Sequence, residues 1–315
     1  MSLKTTSQRK LTGSRFNSTN AATQAITGTT KAIFGYGYSG AFVSMTNLVS
    51  NTGVVATDTT GVGTARNGLA AAGYGSDKAI FGYGNASGTY VSVTNLVSNT
   101  GVVATDTTGV GTVRRDLKAA RYGSDKAIFG YGYTGAAVSM TNLVSSTGVV
   151  ATDTTGVGTA RYSPSATGYG GDKAIFGYGT TGANVSMTNL VSNTGTVATD
   201  TTGVGTARYV LAAAGYGSDK AIFGYGYNGA GLSMTNLVSN TGVVATDTTG
   251  VGTARWSLAA AGYGNDKAIF GYGLDNTTTH VSMTNLVSNT GVVATDTTGV
   301  GTARRELDAA GYSTS

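Results

Sequence analysis

The heptapeptide KAIFGYG at Lys31–Gly37 decides the fold, because the chain contains it six times. Its copies begin at Lys31, Lys78, Lys126, Lys173, Lys220 and Lys267, a period of about 47 residues in a chain of 315. Repeats of this length are typical of solenoids, propellers and repeat arrays, in which each unit packs against its neighbours. The period predicts a repetitive domain over residues 31–315, preceded by an arm of residues 1–30.

Each unit contains four short segments separated by Gly, Asn and Ser. In the first unit they read KAIFGYG (segment b), VSMTNLVS (segment c), VVATDTT (segment d) and LAAAGYG (segment a). None has the apolar spacing of a helix, and their β-branched and aromatic residues predict strands. Four strands in a unit of this length predict one blade of a β-propeller. A β-solenoid is the alternative, although its coils are usually shorter.

We therefore predict an all-β fold, a six-bladed β-propeller of four-stranded antiparallel blades. The first unit begins with segment b, whereas the chain ends with a copy of segment a, LDAAGYS at 307–313. This last segment is expected to pair with the first segment b and close the ring. Closure would remove the edge strands that otherwise promote aggregation.

The unit resembles a kelch repeat. Segment b ends in a glycine cluster, a short turn follows segment c, and segment d leads to a loop with an arginine before segment a. The equivalent arginines are Arg66, Arg114, Arg161, Arg208, Arg255 and Arg304. Kelch repeats usually have a Gly-Gly doublet and a Trp in segment d, where this chain has Gly35-Tyr36-Gly37 and Val54-Val55. The Gly- and Thr-rich sequence more closely resembles the kelch-like propellers of tailed phages and environmental bacteria.

Composition excludes several classes of protein. The chain has no cysteine, so thiolate metal sites, disulfides and cysteine nucleophiles are absent. We expect no signal peptide and no membrane insertion, since the N-terminal segment and the body lack the necessary apolar runs. We also predict no metal and no cofactor. The single histidine, His280, cannot supply a repeated ligand set, and near-identical units do not favour an enzyme.

The net charge of +5 is concentrated in the arm. Four basic residues and no acid lie there, and the rest of the chain is almost neutral, which does not favour a nucleic-acid partner. The arm is either a solvated tail or an attachment segment for virion or other assembly subunits. Its basic residues are Lys4, Arg9, Lys10 and Arg15.

Comparison of the six units shows two variable windows. One follows KAIFGYG, in the loop between segments b and c, and the other follows the arginine, between segments d and a. In an antiparallel blade both loops emerge on the same face, where binding residues are usually found. Aromatic and small polar residues suit an adaptable contact surface. The predicted binding residues are Tyr38, Phe42, Asn85, Tyr90, Arg115, Tyr133, Tyr162, Tyr209, Tyr227, Trp256, Asp275, His280 and Arg305.

Two explanations of this variation stay open, selection for binding and drift of loops without a packing role. The first leads to a non-enzymatic binding propeller, and the phage resemblance implies a virion- or tail-associated adhesin that contacts a cell-surface glycan or protein. Such a protein would reside on the virion, or outside the cell after release. The alternative is a structural or decoration protein without an external ligand. Near-identical units also favour exchanged strands and swapped homo-oligomers.

Three repeated motifs have a structural interpretation. The arginines could bind an anion, but pairing with a loop carbonyl or a carboxylate of the same or a neighbouring unit is favoured. Asp58 and its equivalents lack calcium-loop spacing and are expected to cap turns. Gly-Tyr-Gly has no following helix and no Lys-Ser/Thr, so it is not a phosphate loop, and its tyrosines are expected to pack between units.

Overall fold

The structure, a computed structural model, describes residues 29–314, and every regular element in that range is a β-strand. Segment b forms β1 (Thr29–Tyr38), β4 (Lys78–Ala86), β7 (Lys126–Gly130), β10 (Lys173–Gly177), β13 (Lys220–Gly224) and β17 (Lys267–Gly271). Segment c forms β2 (Phe42–Val49), β5 (Thr89–Val97), β8 (Thr141–Val144), β11 (Thr188–Val191), β14 (Thr235–Val238) and β19 (Thr284–Val287). Segment a forms β3 (Ala70–Tyr74), β6 (Lys118–Tyr122), β9 (Ser165–Tyr169), β12 (Ala212–Tyr216), β16 (Ala259–Tyr263) and β20 (Asp308–Thr314). The short strands β15 (Arg255–Trp256) and β18 (Leu274–Asp275) form a separate pair.

Each strand b lies between a strand c and a strand a, and both pairings are antiparallel. The six resulting sheets have the orders β2-β1-β20, β5-β4-β3, β8-β7-β6, β11-β10-β9, β14-β13-β12 and β19-β17-β16. In the first sheet Phe34 pairs with Asn47 of β2 and with Ala309 of β20. The predicted pairing of the C-terminal segment with the first strand b is therefore confirmed. β1 begins at Thr29, just before the predicted boundary at Lys31.

Segment d does not form the predicted fourth strand. In the first unit it contacts strand c through two isolated bridges, Val49 with Val55 and Thr46 with Thr59. Between these bridges the side chain of Asp58 accepts hydrogen bonds from Thr302 of the sixth unit. Segment d therefore forms side-chain hydrogen bonds with another unit and does not form a continuous ladder of backbone hydrogen bonds with strand c. The prediction of four-stranded sheets is wrong, because each sheet has three strands and a loosely bridged fourth segment.

The hydrophobic core lies between sheets. Of six clusters of buried residues, five combine two sheets that follow one another in sequence, and the sixth joins the last sheet to the first. In that cluster Phe34 of β1 packs with Ile269 and Tyr272 of the sixth unit. The strands a also contact one another in sequence, β3 with β6, β6 with β9, β9 with β12, β12 with β16 and β16 with β20, and β20 contacts β3.

Close packing between sheets explains the glycine that follows each KAIF. A Cβ atom on Gly35 would lie 2.7 Å from Cζ of Phe81, which belongs to the next unit. Real Cβ atoms do not approach a ring so closely, and only glycine lets the two sheets meet at this distance.

Backbone hydrogen bonds join consecutive units at both ends of the strands a. Before each strand a, six residues with positive φ form the links Asp116 to Gly68, Ser163 to Asp116, Val210 to Ser163, Ser257 to Val210, Glu306 to Ser257 and Gly68 to Glu306. After each strand a, six further links run between turns, for example from Gly75 N–H to the carbonyl of Asp125. Within residues 29–314, no helix is long and apolar enough to cross a membrane.

Candidate functional site

The two variable windows lie side by side in the structure. The residue that follows each Gly-Tyr-Gly forms an antiparallel bridge with the residue that follows the arginine of the preceding unit. Five isolated bridges of this kind are Tyr38 with Arg305, Asn67 with Asn85, Arg115 with Tyr133, Tyr162 with Thr180, and Tyr209 with Tyr227. In the remaining unit β15 pairs with β18, which places Trp256 opposite Leu274. These bridges use backbone atoms, so the side chains of both windows are free to vary.

A strained tyrosine follows each KAIFG sequence and positions the first window. Tyr36 has φ of 63°, and its equivalents in the other units also have positive φ. The left-handed conformation is unusual for a bulky residue and requires support from its surroundings. Tyr36 is fully buried, donates a hydrogen bond from its hydroxyl to the carbonyl of Val62, and packs against Phe81 with 5.1 Å between ring centroids. The prediction that these tyrosines pack between units is confirmed.

Most of the predicted binding residues fall into three aromatic clusters. In the first cluster the Arg115 guanidinium lies 5.5 Å from the ring centroid of Tyr90 and 5.4 Å from that of Tyr133. The ring of Tyr133 also meets Tyr162 edge to face, with centroids 5.2 Å apart. Burial lowers the pKa of Arg115, but the nearby Asp116 and Tyr90 raise it, and the net shift is upward. Arg115 is therefore positively charged.

The second cluster contains the only tryptophan of the chain. Trp256 packs on Tyr227 with ring centroids 5.0 Å apart, and Tyr227 meets Tyr209 at 5.8 Å. A Cβ on Gly231 would lie 2.8 Å from the Trp256 ring, so the absence of a side chain at this glycine makes room for the indole. Asn276 accepts a hydrogen bond from Gly231 N–H and holds that loop in place. Burial and neighbouring tyrosines raise the pKa of Tyr209.

The third cluster is built around Tyr38. Its ring meets Phe42 at 5.4 Å and His280 at 6.1 Å between centroids, and the Arg305 guanidinium lies 5.4 Å from its centroid. Burial and the charge of Arg305 lower the pKa of His280, which is therefore neutral near pH 7. All three clusters are only partly buried, so their rings can contact a ligand.

Two predicted binding residues lie apart from these clusters. Asn85 bridges Asn67, and its side-chain oxygen accepts a hydrogen bond from Gly88 N–H within its own loop. Asp275 accepts hydrogen bonds from the hydroxyl of Thr277 and from Thr279 N–H, which lower its pKa. Both side chains therefore shape loops of the variable windows. The predicted arm residues Lys4, Arg9, Lys10 and Arg15 lie outside the described residues.

The repeated arginines form contacts between units, as their structural interpretation predicted. Arg66 is fully buried and lies 4.3 Å from the ring centroid of Tyr36. It donates hydrogen bonds to the carbonyls of Tyr83 and Thr64 and to the side-chain oxygen of Asn95. With these donors occupied inside the protein, the repeated arginines are not available to an external anion.

The repeated aspartates complete the same contact from the other side. Asp106 accepts hydrogen bonds from the backbone and hydroxyl of Thr64 in the preceding unit, and from Asn95 in its own. Burial alone would raise the pKa of Asp106, but these hydrogen bonds and Arg66 lower it. The predicted capping role is therefore filled across the boundary between two units.

Sequence reasoning missed a cavity of about 980 Å³ between the six strands a. It opens among the turns that join strands a to strands b, at the end of the strands b opposite to the variable windows. Toward those windows, buried leucines and Pro164 leave a void of only about 30 Å³. The leucines are Leu69, Leu117, Leu211, Leu258 and Leu307. The cavity is thus a pocket with one open end.

Three charged residues break the symmetry of this cavity. Lys118 and Asp308 form an ion pair of 3.1 Å, and burial raises the pKa of Asp308 despite that partner. Arg121 occupies a position at which the other five units have glycine. Comparing the strand a segments with one another would have found all three residues, since the other copies there are Ala or Gly with one Ser.

The described residues contain no group of three or more His, Asp or Glu side chains that could hold a metal ion. His280 packs against Tyr38 and forms no hydrogen bond or ion pair with a carboxylate of residues 29–314. A scan against protein-family models and a search of curated proteins give no match for this chain. Its function is therefore argued from the geometry of the windows and the cavity.

Proposed function

We propose that the chain is a non-enzymatic binding protein built as a six-bladed β-propeller. Support for the architecture comes from the contacts between consecutive sheets, which return from the sixth sheet to the first through β20, β1 and β3. The two series of backbone hydrogen bonds at the ends of the strands a follow the same order. Removal of residues 308–315 would expose β1 and leave β16 and β3 without a partner between them. Aggregates or higher oligomers are then expected in size-exclusion chromatography, and a cooperative monomer would contradict closure.

The observation that carries the proposed function is the gathering of aromatic and arginine side chains in the two windows that vary among units. Aromatic rings offer a flat apolar face together with polar edges, and their few rotatable bonds make ordering on binding inexpensive. Such surfaces suit the C–H faces and hydroxyls of sugar rings. We propose a cell-surface glycan or glycosylated protein as the partner, with several weak sites acting together through avidity.

The two ends of the molecule also have separate roles in this proposal. The described chain begins at Thr29, next to Lys31 and on the side of the cavity, whereas Tyr38 at the other end of β1 belongs to the variable windows. An arm attached at Thr29 would therefore fix the molecule with its variable windows directed away from the particle. On the resemblance to phage propellers, we propose that the arm holds the molecule on a virion or tail.

Trp256 makes the test direct, because it is the only tryptophan and lies in the second aromatic cluster. The full chain is titrated with a panel of cell-surface glycans while tryptophan fluorescence is recorded, and calorimetry covers the other clusters. Binding should weaken by about tenfold or more in Tyr227→Ala, Tyr209→Ala and Arg115→Ala, in keeping with the usual effect of removing an aromatic or arginine anchor. Val54→Ala, an exposed change on segment d, is the matched control.

One observation favours a second function, that of a structural or decoration protein. Five units expose a valine at the start of segment d by about two thirds of its surface, at Val54, Val102, Val149, Val243 and Val292. A regular set of apolar side chains could pack on subunits of a larger assembly. If no glycan binds but the protein associates with purified particles and Val→Asp changes at these sites prevent it, the structural role replaces the proposed one.

A further inference from the structure

The cavity between the strands a contains one cation without a partner. The five lysines that line it each have a carboxylate close by: Lys78 with Asp77 at 2.9 Å, Lys118 with Asp308 at 3.1 Å, Lys173 with Asp172 at 3.3 Å, Lys220 with Asp219 at 3.9 Å and Lys267 with Asp266 at 2.8 Å. Arg121 forms no hydrogen bond and no ion pair with any residue in the described range.

The position of Arg121 explains why its guanidinium is accessible from the cavity. Strand β6 places this side chain beside Gly73 of β3, with its Cδ near the point where a Cβ of that glycine would be. Glycine in the neighbouring strand leaves the aliphatic part of Arg121 room to extend. Asp77 and Asp125 influence the guanidinium electrostatically, but each is already paired with the lysine that follows it. The positive charge of Arg121 is therefore not neutralised by a contact inside the protein.

The surroundings suit a small anion with an organic body. A guanidinium carries five N–H donors in a planar fork, which matches the paired oxygens of a carboxylate or phosphate. The cavity wall beside it consists of alanines and glycines of the strands a, which can pack against apolar atoms of a ligand. At about 980 Å³ the space falls within the range of ordinary small-molecule sites. The leucines at its closed end prevent a ligand from passing through toward the variable windows.

We propose that this cavity is a second ligand site, in which Arg121 binds the carboxylate or phosphate group of a small organic anion. The site is independent of the aromatic windows, since the two lie at opposite ends of the strands. It needs one unit to differ from the other five, which is what a single site on a repetitive scaffold requires. The Lys118–Asp308 pair is a second departure from the repeat among the residues that line the cavity.

The test titrates the full chain by calorimetry with inorganic phosphate, glucose 6-phosphate and glucuronate as defined probes. At least one probe should bind saturably to one site per chain, and the phosphate and carboxylate arms identify which group is preferred. Arg121→Gly should weaken binding by about tenfold or more, which corresponds to the loss of a charge-assisted contact. Because five units already have glycine at this position, the variant is expected to fold normally. Arg121→Lys keeps the charge without the planar fork and should bind with intermediate affinity.

Lys31→Ala is the matched control, because it removes one cation from an equivalent turn without touching the cavity lining. If Lys31→Ala and Arg121→Gly lose the same amount of probe affinity, the effect comes from the overall positive charge and the proposal is overturned. It is also overturned if Arg121→Gly binds as tightly as the parent chain, or if none of the three probes binds. Trp256 fluorescence should not respond to these probes, so the result is separable from glycan binding at the variable windows.

Discussion

Replacing one buried arginine between two units should be far more damaging than replacing its counterpart at the next boundary. The comparison is Arg208→Met with Arg161→Met. Arg208 donates hydrogen bonds to Tyr225 O at 2.8 Å, Thr206 O at 3.0 Å and Asn236 Oδ1 at 2.7 Å. Arg161 has the equivalent bonds to Thr159 O at 3.2 Å and Asn189 Oδ1 at 2.7 Å, but its Nε atom has no partner.

The magnitudes follow from these contacts. Methionine keeps the apolar stem, so the loss at Arg208 comes mainly from two buried acceptors left without donors, at about 1–3 kcal/mol each. The guanidinium also lies 4.4 Å from the ring centroid of Tyr178, a contact worth about 1–2 kcal/mol when desolvated. Arg208→Met should therefore lower the free energy of unfolding by about 3–5 kcal/mol. Arg161→Met should cost about 1–3 kcal/mol less, since it removes one hydrogen bond fewer and eliminates an unpaired buried N–H.

The assay is urea unfolding of both variants and the parent chain at one pH, followed by far-UV circular dichroism and tryptophan fluorescence. Coincident transitions by the two probes establish that free energies can be extracted, and the slopes should match among the three proteins. The reasoning is refuted if both variants lose the same stability or if Arg161→Met is the more damaging. Either result would mean that the guanidinium hydrogen bonds are not what joins the units.

Three further predictions concern packing between sheets, the dependence of stability on pH, and oligomerisation. Gly177→Ala should lower the free energy of unfolding by about 1–3 kcal/mol, because its Cβ would lie 2.8 Å from Phe223 Cζ. Gly215→Ala should be tolerated, because the nearest atoms to its Cβ lie at 3.6 Å, and equal urea midpoints for the two variants would contradict this reasoning. The pKa values of Asp58, Asp106, Asp153, Asp200, Asp247 and Asp296 are lower in the folded protein than in the unfolded chain despite partial burial. The stability that they contribute is therefore present above about pH 4 and lost as the pH falls further, so the urea midpoint should decrease below pH 4 and decrease less steeply in Asp106→Asn. Refolding at high protein concentration should yield swapped dimers and larger species, because the units are nearly identical; recovery of monomer alone, judged by size-exclusion chromatography, would count against this.

The antiparallel strands formed by segments a, b and c could be predicted from the sequence, because these segments recur in every unit with few changes. KAIFG, TNLV and AAAGY recur with strong strand propensity and fixed spacing. Segment d was mistaken for a strand on the same grounds. Its Val and Thr residues satisfy the local pattern, but Asp58 bonds to Thr302 of another unit and the ladder is limited to two bridges. A local pattern cannot reveal a competing partner that lies far away in sequence.

The variable windows and the cavity differ in how far the sequence could indicate them. Variation among units indicated which loops carry Tyr38, Tyr133 and Trp256, but not that these rings meet in three clusters, since each cluster includes a ring contact between different units. The cavity was missed because it belongs to all six strands a together and to no single unit. In the sequence, the cavity is indicated only by Arg121, which replaces the glycine of the other units. That replacement can be interpreted only once the strands a are known to surround a space.

The arrangement of contacts also explains why most of the variation among units falls in the two windows. Inside the units, Phe81 packs where Gly35 has no side chain, and Arg66 depends on Asn95 of the next unit, so a change in one unit disturbs its neighbour. The windows are joined by backbone bridges such as Tyr209 with Tyr227, which hold the loops in place whatever side chains they carry. Drift would be permitted at these positions, but drift alone does not account for rings that contact one another across units in three separate places. These aromatic side chains pack against one another and remain partly exposed. The proposed binding surface requires this arrangement.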